Sequence, residues 1–279
     1  MSIYKTEAAE RRSLALYAQA RSRWPVPHEE LTVETRYGQT FVIACGPKDA
    51  PPIVLLHGSG TNASSWNPDI PALAARFRVH AVDLIGEPGL SAPARPPLGS
   101  DGHALWLDDV MDGLWLAHAG FVGASLGGLL AADYAIRRPD RVDRLALLCP
   151  AGIGRHRVGF VFLALTLLMF GAWGRRLVWA MVTKGSDAPR AFLDYVQEVS
   201  RTVKHRHGKV PVFTDAQLAR LTMPVLAVVG GKDILLASDE TRRRLERWVP
   251  QAKVRFLRDA GHLLPFQSDL VAAFLAGEG

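Results

Sequence analysis

Short apolar runs alternate along this chain with longer segments of helical periodicity. A continuous apolar run such as 52–56 is typical of a strand that is covered on both faces. Further strand-like segments lie at 79–84, 120–124, 144–149, 224–229 and 253–257. Two earlier runs, "LTVETRY" and "QTFVIA", meet at Gly38 and predict an antiparallel hairpin. A hairpin followed by strand-helix units predicts an α/β fold with a mostly parallel, twisted, eight-stranded sheet between two layers of helices.

The alternation stops between Ala151 and about Arg220, where the pattern is helical throughout. We therefore predict three parts: an N-terminal helical extension (1–30), an α/β core (31–152 and 216–279) and a helical cap (153–215). An insertion that follows a core strand lies at the carboxyl edge of an open sheet, which is where ligands bind. The cap is therefore expected to cover the ligand crevice.

The segment "VGFVFLALTLLMFGAWG", residues 158–174, is uncharged and is barely long enough to cross a membrane. Strands of one apparent domain lie on both sides of it, so a single span would separate the two halves of that domain. We expect a buried helix or an apolar lid instead. The structural alternative to a lid is that these side chains pack the cap against the sheet.

Charge and cysteine usage narrow the possible partners and the compartment. The net charge is +6 and the isoelectric point is near 9.6, but the arginines are scattered and no aromatic-interleaved basic motif is present. This predicts no nucleic-acid partner, while weak contact with an anionic membrane surface stays open. Cys45 and Cys149 lie in strand-like runs and are expected to be buried thiols. The N-terminus lacks the apolar core of a secretory signal, so a cytoplasmic protein is expected.

Ser125 lies in "GASLGG", between a predicted strand and a predicted helix. The motif alone is weak, because a serine among glycines also suits an ordinary tight turn. A sharp strand-to-helix turn would raise the serine above the sheet, provided that Gly123 and Gly127 keep its neighbours small. The backbone N–H of Leu126, at the helix N-terminus, would then point at an oxygen bound beside the serine.

A serine nucleophile needs a base and a group that orients the base. His262 follows the last predicted strand, and Asp233 follows the strand before it, so both are expected at the carboxyl edge of the sheet. Asp259 is a rival acid, but it is more typical of a turn residue. His57 is expected to brace its loop rather than to take protons. The remaining candidates, His205 and His207, lie in "KHRHGK", a charged stretch that we expect to be solvated.

The loop "LLHGSG", residues 55–60, follows a predicted strand and places the backbone N–H of Ser59 as a second oxyanion donor. Each motif is modest by itself. Their order along the chain, each at the end of a strand, is difficult to obtain by accident.

With these motifs, the chain resembles the α/β-hydrolase superfamily from about residue 30 onward. "HGSG", "DLIGEPGLS", "GASLGG", "GGKD" and "AGH" carry the resemblance, and bacterial carboxylesterases, C–C hydrolases and cofactor-free haloperoxidases are the most similar groups. The resemblance implies an α/β-hydrolase fold, a triad of Ser125, Asp233 and His262, and an oxyanion hole of Ser59 and Leu126. In "DLIGEPGLS", Glu87-Pro88 replaces the usual Gly-aromatic-Gly run. We expect Glu87 to be a solvated turn residue rather than a polar group at a pocket rim.

The expected function is hydrolysis of carboxylic esters of hydrophobic small molecules, with no metal or organic cofactor. The triad alone does not name the electrophile, so C–C bond hydrolysis and perhydrolysis stay open, as does a non-catalytic protein that binds lipid surfaces. The hydrophobic substrate is suggested by the apolar side chains of the cap. These are Phe160, Phe162, Leu165, Leu168, Met169, Phe170 and Trp173.

Overall fold

An eight-stranded sheet runs through the centre of the molecule. The computed structural model describes residues 2–186, 188–206, 210–264 and 266–278, without the side chains of residues 158, 160, 161 and 165. The strands are β1 (His28–Thr35), β2 (Gly38–Cys45), β3 (Pro52–Leu56), β4 (Arg78–Val82), β5 (Ala119–Ala124), β6 (Val142–Leu148), β7 (Val225–Gly230) and β8 (Lys253–Leu257).

The strand order is β1-β2-β4-β3-β5-β6-β7-β8. β2 is antiparallel to both β1 and β4, and every other neighbouring pair is parallel. The predicted fold class, a mostly parallel sheet that begins with an antiparallel hairpin, is therefore confirmed. The parallel strands β3 and β5 to β8 all end at one edge, so the loops that follow them meet there.

Helices cover the sheet and form the cap. They are α1 (Glu7–Arg21), α2 (Ile70–Ala74), α3 (Gly102–Gly113), α4 (Leu126–Arg137), α5 (Val158–Leu168), α6 (Gly171–Val182), α7 (Arg190–Thr202), α8 (Asp215–Leu218), α9 (Ser238–Trp248) and α10 (Ser268–Leu275). A 3₁₀ turn (Ala63–Trp66) precedes α2, which follows Asp69 with a proline in its first turn.

The core has two layers because alternate residues of each strand point to opposite faces. On β3, Val54 and Leu56 join the cluster that contains buried side chains of α3, α4 and α9. Ile53 and Leu55 point the other way and join the cluster formed with α1, α2 and α10. Helices therefore cover both faces of the sheet, which explains why β3 is apolar at every position.

The cap lies between β6 and β7 and contains α5, α6 and α7. The uncharged segment 158–174 is divided between α5 and α6 by Gly171, whose φ of +62° breaks the helix. Among the described residues, no helix is both long enough and apolar enough to cross a membrane.

The apolar side chains of that segment do not bear out the expectation of a buried helix, nor the alternative that they pack the cap against the sheet. Five of the seven residues that suggested an apolar substrate are exposed; these are Phe162, Leu168, Met169, Phe170 and Trp173. The side chains of the other two, Phe160 and Leu165, lie outside the described part of the chain.

The N-terminal segment is bound to both the core and the cap. Tyr4 forms an antiparallel bridge with Val203 at the end of the cap, and Tyr17 of α1 donates a 2.9 Å hydrogen bond to the buried carboxylate of Asp83. The expected extension ended at residue 30, whereas β1 begins at His28. The helical part of this segment is therefore α1.

α4 approaches the sheet unusually closely at its second residue, Gly127. A Cβ atom at this position would lie 2.0 Å from the carbonyl oxygen of Leu56 and 2.6 Å from that of His57. Both contacts are to backbone, so neither can move aside by a change of side-chain rotamer. The absence of a side chain at Gly127 is therefore a condition for the packing of α4 on β3.

We predict that Gly127→Ala lowers the melting temperature sharply or prevents folding, because overpacking against fixed backbone costs several kcal/mol. Gly159→Ala is the matched control: it also changes the second residue of a helix, but a Cβ there meets nothing within 4 Å. Thermal unfolding followed by circular dichroism compares the two. Equal melting temperatures for both variants would contradict the packing argument.

Candidate active site

Ser125 lies at the turn between β5 and α4 in a strained backbone conformation. Its φ of +51° and ψ of −109° are rare for a residue with a side chain. The turn is held by hydrogen bonds from the Ser125 amide to Leu148, at 2.9 Å, and from the amide of Ala151 to the Ser125 carbonyl, at 3.1 Å. A Cβ at Gly123 would lie 2.4 Å from the carbonyl oxygen of Gly127, so the turn needs small neighbours, as the sequence predicts.

The side chains of Ser125, His262 and Asp233 form one hydrogen-bonded chain. His262 Nε2 lies 3.0 Å from Ser125 Oγ, and His262 Nδ1 lies 2.8 Å from Asp233 Oδ2. They come from three loops that follow β5, β7 and β8. The topology therefore brings Ser125 together with two residues that are each more than one hundred positions further along the chain.

Asp233 is held rigidly and is buried completely. Its Oδ1 accepts hydrogen bonds from the amides of Leu235 and Leu236, at 2.8 and 3.0 Å. Burial alone would raise the pKa of Asp233, but the hydrogen bond and charge of His262, with the two amides, bring it below its usual value. Asp259, the rival acid, is exposed and pairs with Lys232 at 2.6 Å instead.

The partners of His262 define its tautomer. An ionised carboxylate only accepts hydrogen bonds, so the proton of the neutral ring is on Nδ1, facing Asp233. Nε2 then carries a lone pair and accepts the hydroxyl hydrogen of Ser125. In this arrangement the serine hydroxyl is the hydrogen-bond donor and the ring nitrogen is the acceptor.

The loop after β3 lies directly above the serine. A Cβ at Gly58 would lie 3.7 Å from Ser125 Cβ, so the next amide, that of Ser59, is carried beside the nucleophile candidate. Leu126 is the first residue of α4. Within the described part of the chain, no hydrogen bond uses the amide of Ser59 or of Leu126. Both N–H groups are therefore available to an oxygen near Ser125.

His57 braces this loop from beneath. It is completely buried, its Nε2 accepts the amide hydrogen of Leu84 at 2.9 Å, and its Nδ1 donates to the carbonyl of Gly58 at 2.9 Å. Burial lowers the pKa of His57 to about 4. The ring is therefore neutral at physiological pH and serves as a donor at one end and an acceptor at the other.

Glu87 corrects one expectation from the sequence: it is not a solvated turn residue. It is only 2% exposed and accepts hydrogen bonds from the amide of Gly60, at 2.7 Å, and the hydroxyl of Ser59, at 3.2 Å. Its second oxygen binds Nε of Arg206 at 2.9 Å. Glu87 therefore ties the loop above Ser125 to the end of the cap.

Arg206 corrects the expectation that "KHRHGK" is solvated throughout. Its side chain is 13% exposed, and besides Glu87 it donates to the carbonyl of Ile85 at 3.0 Å. His205 is exposed, as expected, and His207 lies outside the described residues. The charged stretch thus contributes one buried cation to the surroundings of the site.

Asp83, which the sequence arguments did not single out, joins three segments. Its carboxylate accepts hydrogen bonds from the amides of Ala63 and Leu90, both at 2.8 Å, and from the hydroxyl of Tyr17. The two loops that flank the site and helix α1 are therefore fixed to one buried acid. The sequence feature that could have identified Asp83 is its position as the first residue of "DLIGEPGLS".

One group of three possible metal ligands is present among the described residues: Cys149, Asp233 and His262, with ligand atoms within 4.8 Å of one another. Burial raises the pKa of the Cys149 thiol, so the sulfur is protonated and is a poor ligand. Both nitrogens of His262 are engaged in the hydrogen-bonded chain. The donor set suits proton transfer better than metal binding.

Comparison with known proteins places this fold in a family. The model of the alpha/beta hydrolase family matches residues 53–274. The chain belongs to the α/β-hydrolase family. The resemblance drawn from the motifs of the sequence is thereby confirmed.

Relatives within the α/β-hydrolase family include carboxylesterases. Carboxylesterase YbfK of Bacillus subtilis is 33% identical over 94% of this chain and 92% of its own length. The crystal structure of carboxylesterase CesB (YbfK) gives a TM-score of 0.84 over 98% of this chain and all of that one, at 32% identity. The crystal structure of naproxen esterase from the same organism gives a TM-score of 0.82 at 29% identity, over 96% of this chain and 95% of that one.

We predict that the stability of this α/β-hydrolase falls in acid because of His57. The unfolded state takes up a proton on this ring near pH 6.5, whereas the folded state resists protonation to about pH 4. The stabilising contribution is present above pH 6.5 and is lost as pH falls through this window, by about 3 kcal/mol. Urea unfolding of wild type and His57→Gln at pH 7 and pH 4 measures the change. A constant difference between them would contradict the assignment.

We also predict that Glu87→Gln lowers the free energy of unfolding by about 3 kcal/mol, because it leaves Arg206 buried without a counter-charge. Glu198→Gln is the control, since it breaks the exposed pair with Arg201 and should cost about 0.5 kcal/mol or less. Urea denaturation at neutral pH gives both values. If the two variants were equally stable, the Glu87–Arg206 pair would not be holding the loop.

Proposed function

We propose that this chain is a serine hydrolase that cleaves carboxylic esters of uncharged, hydrophobic small molecules through a covalent acyl-enzyme. The proposal depends mainly on the hydrogen bonds that link Ser125 to His262 and His262 to Asp233, with Ser125 at a strained turn. Ester hydrolysis as the reaction class is supported by the two carboxylesterase relatives. In this proposal Ser125 is the nucleophile, His262 the base and Asp233 the group that orients the base.

The first half-reaction transfers the acyl group. Ser125 Oγ attacks the ester carbonyl while its proton moves to His262 Nε2, and the resulting imidazolium is stabilised by the carboxylate of Asp233. The tetrahedral intermediate then collapses, the bond to the alcohol breaks, and His262 returns the proton to the departing oxygen. The acyl group remains on Ser125.

The amides of Ser59 and Leu126 are assigned to the oxyanion. In this proposal both N–H groups point at the carbonyl oxygen, where negative charge develops, and the N-terminal end of α4 adds a favourable partial charge. Removing one such donor typically costs about 3–4 kcal/mol of the barrier. The bonds that Glu87 makes to the 59–60 loop therefore bear on the rate as well as on stability.

The second half-reaction repeats the first with water in place of the alcohol. His262 Nε2 takes a proton from water, the hydroxide attacks the acyl carbonyl, and Ser125 leaves with the proton as the acid is released. Every proton is supplied and returned by His262, and no electron is transferred. The scheme needs no metal or organic cofactor.

An uncharged substrate fits the electrostatics around the proposed oxyanion loop. Glu87, which binds this loop, is bonded to Arg206, so this pair offers no free charge to a ligand. The cap closes over the loop, because a Cβ at Gly60 would lie 2.9 Å from Ser200 Oγ and 3.1 Å from His205. A covered loop whose buried acid is neutralised favours an apolar acyl or alcohol group.

We predict that Ser125→Ala abolishes turnover of p-nitrophenyl esters and labelling by a fluorophosphonate probe while circular dichroism stays that of wild type. Asp233→Asn should lower kcat about 10⁴-fold, since the neutral amide no longer selects the tautomer with a lone pair on Nε2. Mass spectrometry of the labelled wild-type protein should locate the adduct on Ser125. Unchanged turnover by Ser125→Ala would overturn the mechanism.

A panel of acyl chain lengths tests the substrate class with the same assay. Activity should rise from acetate to medium-chain esters, and a strong preference for acetate would contradict the hydrophobic site. Higher turnover of a vinylogous diketone than of any ester would replace ester hydrolysis by C–C bond hydrolysis. If Ser125 failed to react with the fluorophosphonate probe, that result would favour a non-catalytic protein.

A further inference from the structure

The hairpin formed by α5 and α6, here called the cap hairpin (residues 158–182), exposes an unusual amount of apolar surface. Nine large apolar side chains of the described residues are exposed, and seven of them lie between 162 and 177. The remaining two, Leu90 and Trp115, are isolated. Concentrated exposure of this kind marks an interaction surface, whereas scattered exposure is normal.

The packing of the hairpin leaves these side chains facing outward. The helices contact each other closely at Gly174, where a Cβ would clash with the carbonyl oxygen of Leu167. The opposite faces stay free: Phe162 is 67% exposed on α5, and Trp173 is 62% exposed on α6 with Leu177 one turn further on. At the connection, Met169 is 85% exposed. The apolar surface therefore covers the tip and the outer sides of the hairpin.

Within the segment that carries this surface, the charged residues all have one sign. Residues 155–186 contain no acidic residue but five basic ones, which are Arg155, Arg157, Arg175, Arg176 and Lys184. Arg155 is paired with Glu240, whereas Arg175 and Arg176 make no ion pair with any described residue. An apolar surface with an unpaired basic edge is complementary to an anionic lipid surface, which offers acyl chains beneath negative headgroups.

Both ends of the hairpin rest on the loops of the site. Before α5, His156 bridges to Leu236, and the amide of Arg157 donates to Leu235 at 2.8 Å. After α6, a Cβ at Gly185 would lie 2.5 Å from the carbonyl oxygen of Asp259, three residues before His262. A surface bound by the hairpin would therefore be held beside the loops that carry Asp233 and His262.

We propose that the cap hairpin docks this protein on anionic lipid surfaces, with the apolar tip inserted at the headgroup boundary and Arg175 and Arg176 against the lipid phosphates. The placement of the hairpin ends beside the site gives docking a role, because hydrophobic esters concentrate in lipid. That role rests on the proposed function. The docking itself does not depend on the proposed function.

Charge also argues against a second copy of this chain as the occupant. Pairing two hairpins would bring two sets of unpaired arginines to one interface with no acid in residues 155–186 to neutralise them. Like charges at a desolvated interface cost several kcal/mol. A lipid headgroup supplies the missing negative charge, which a second hairpin lacks.

The test is co-sedimentation of the full chain with vesicles of phosphatidylcholine containing one quarter phosphatidylglycerol, beside vesicles of phosphatidylcholine alone. We expect binding to the anionic vesicles, weakened in 0.5 M NaCl because salt screens the headgroups. Quenching of tryptophan fluorescence by brominated lipid should be smaller in Trp173→Phe than in wild type. Equal binding to both vesicle types would overturn the electrostatic part of the proposal.

Two pairs of variants locate the contact. Arg175→Gln with Arg176→Gln should weaken binding to anionic vesicles on the order of 30-fold, given about fivefold for each basic residue near the surface. Met169→Ser with Phe170→Ser should abolish insertion. The matched controls are Arg11→Gln with Arg12→Gln on α1, and Trp115→Ser, an exposed aromatic outside the hairpin. Equal loss of binding in the controls would overturn the assignment to the hairpin.

Two further measurements separate this proposal from the proposed function and from self-association. Binding measured with Ser125→Ala protein does not depend on catalysis, and the Met169→Ser, Phe170→Ser protein should hydrolyse a water-soluble ester at the wild-type rate. Analytical ultracentrifugation without lipid should give a monomer. A dimer that dissociates on substitution of Met169 and Phe170 would make the hairpin a contact between copies and would overturn the proposal.

Discussion

The close approach of α4 to β3 is the constraint on which the site depends. Gly127 lies against the carbonyl oxygen of Leu56 with no room for a Cβ atom, and this contact compels the chain to turn sharply at Ser125. The left-handed conformation of the serine is the local cost of that turn, on the order of 1–3 kcal/mol. The turn presents Oγ to His262, and α4 begins at the next residue.

Buried polar contacts, rather than apolar packing, hold the loops around this turn. Asp83 binds two loops and α1. His57 joins the loop after β3 to the loop after β4. Glu87 joins both loops to Arg206 of the cap. Each contact is directional and loses much free energy if one partner is removed. Apolar packing tolerates small displacements, whereas hydrogen bonds hold only over a narrow range of distance and angle. A site that works by geometry gains from this stiffness.

The sequence was sufficient for the core and for the three side chains that meet at the sheet edge, because strand ends and loop order carry that information. It was insufficient for Glu87 and Arg206. Glu87 is 27 residues from Gly60 and 119 from Arg206, so no local pattern reveals that the charges neutralise each other. Burial of an acid depends on a partner, and partners distant along the chain are set by topology. Only the departure from the usual glycine-rich run marked this loop as unusual.

The uncharged segment 158–174 shows a second limit of hydrophobic pattern. Burial in a core, contact with lipid and coverage of a substrate all favour the same residues, so the pattern separates none of them. What differs is the geometry around the segment. The break at Gly171 and the close contact at Gly174 fold it back on itself, which leaves too few faces covered to bury every large side chain. The apolar surface that remains exposed is therefore a consequence of the hairpin, and the basic residues at its edge determine which kind of surface it suits.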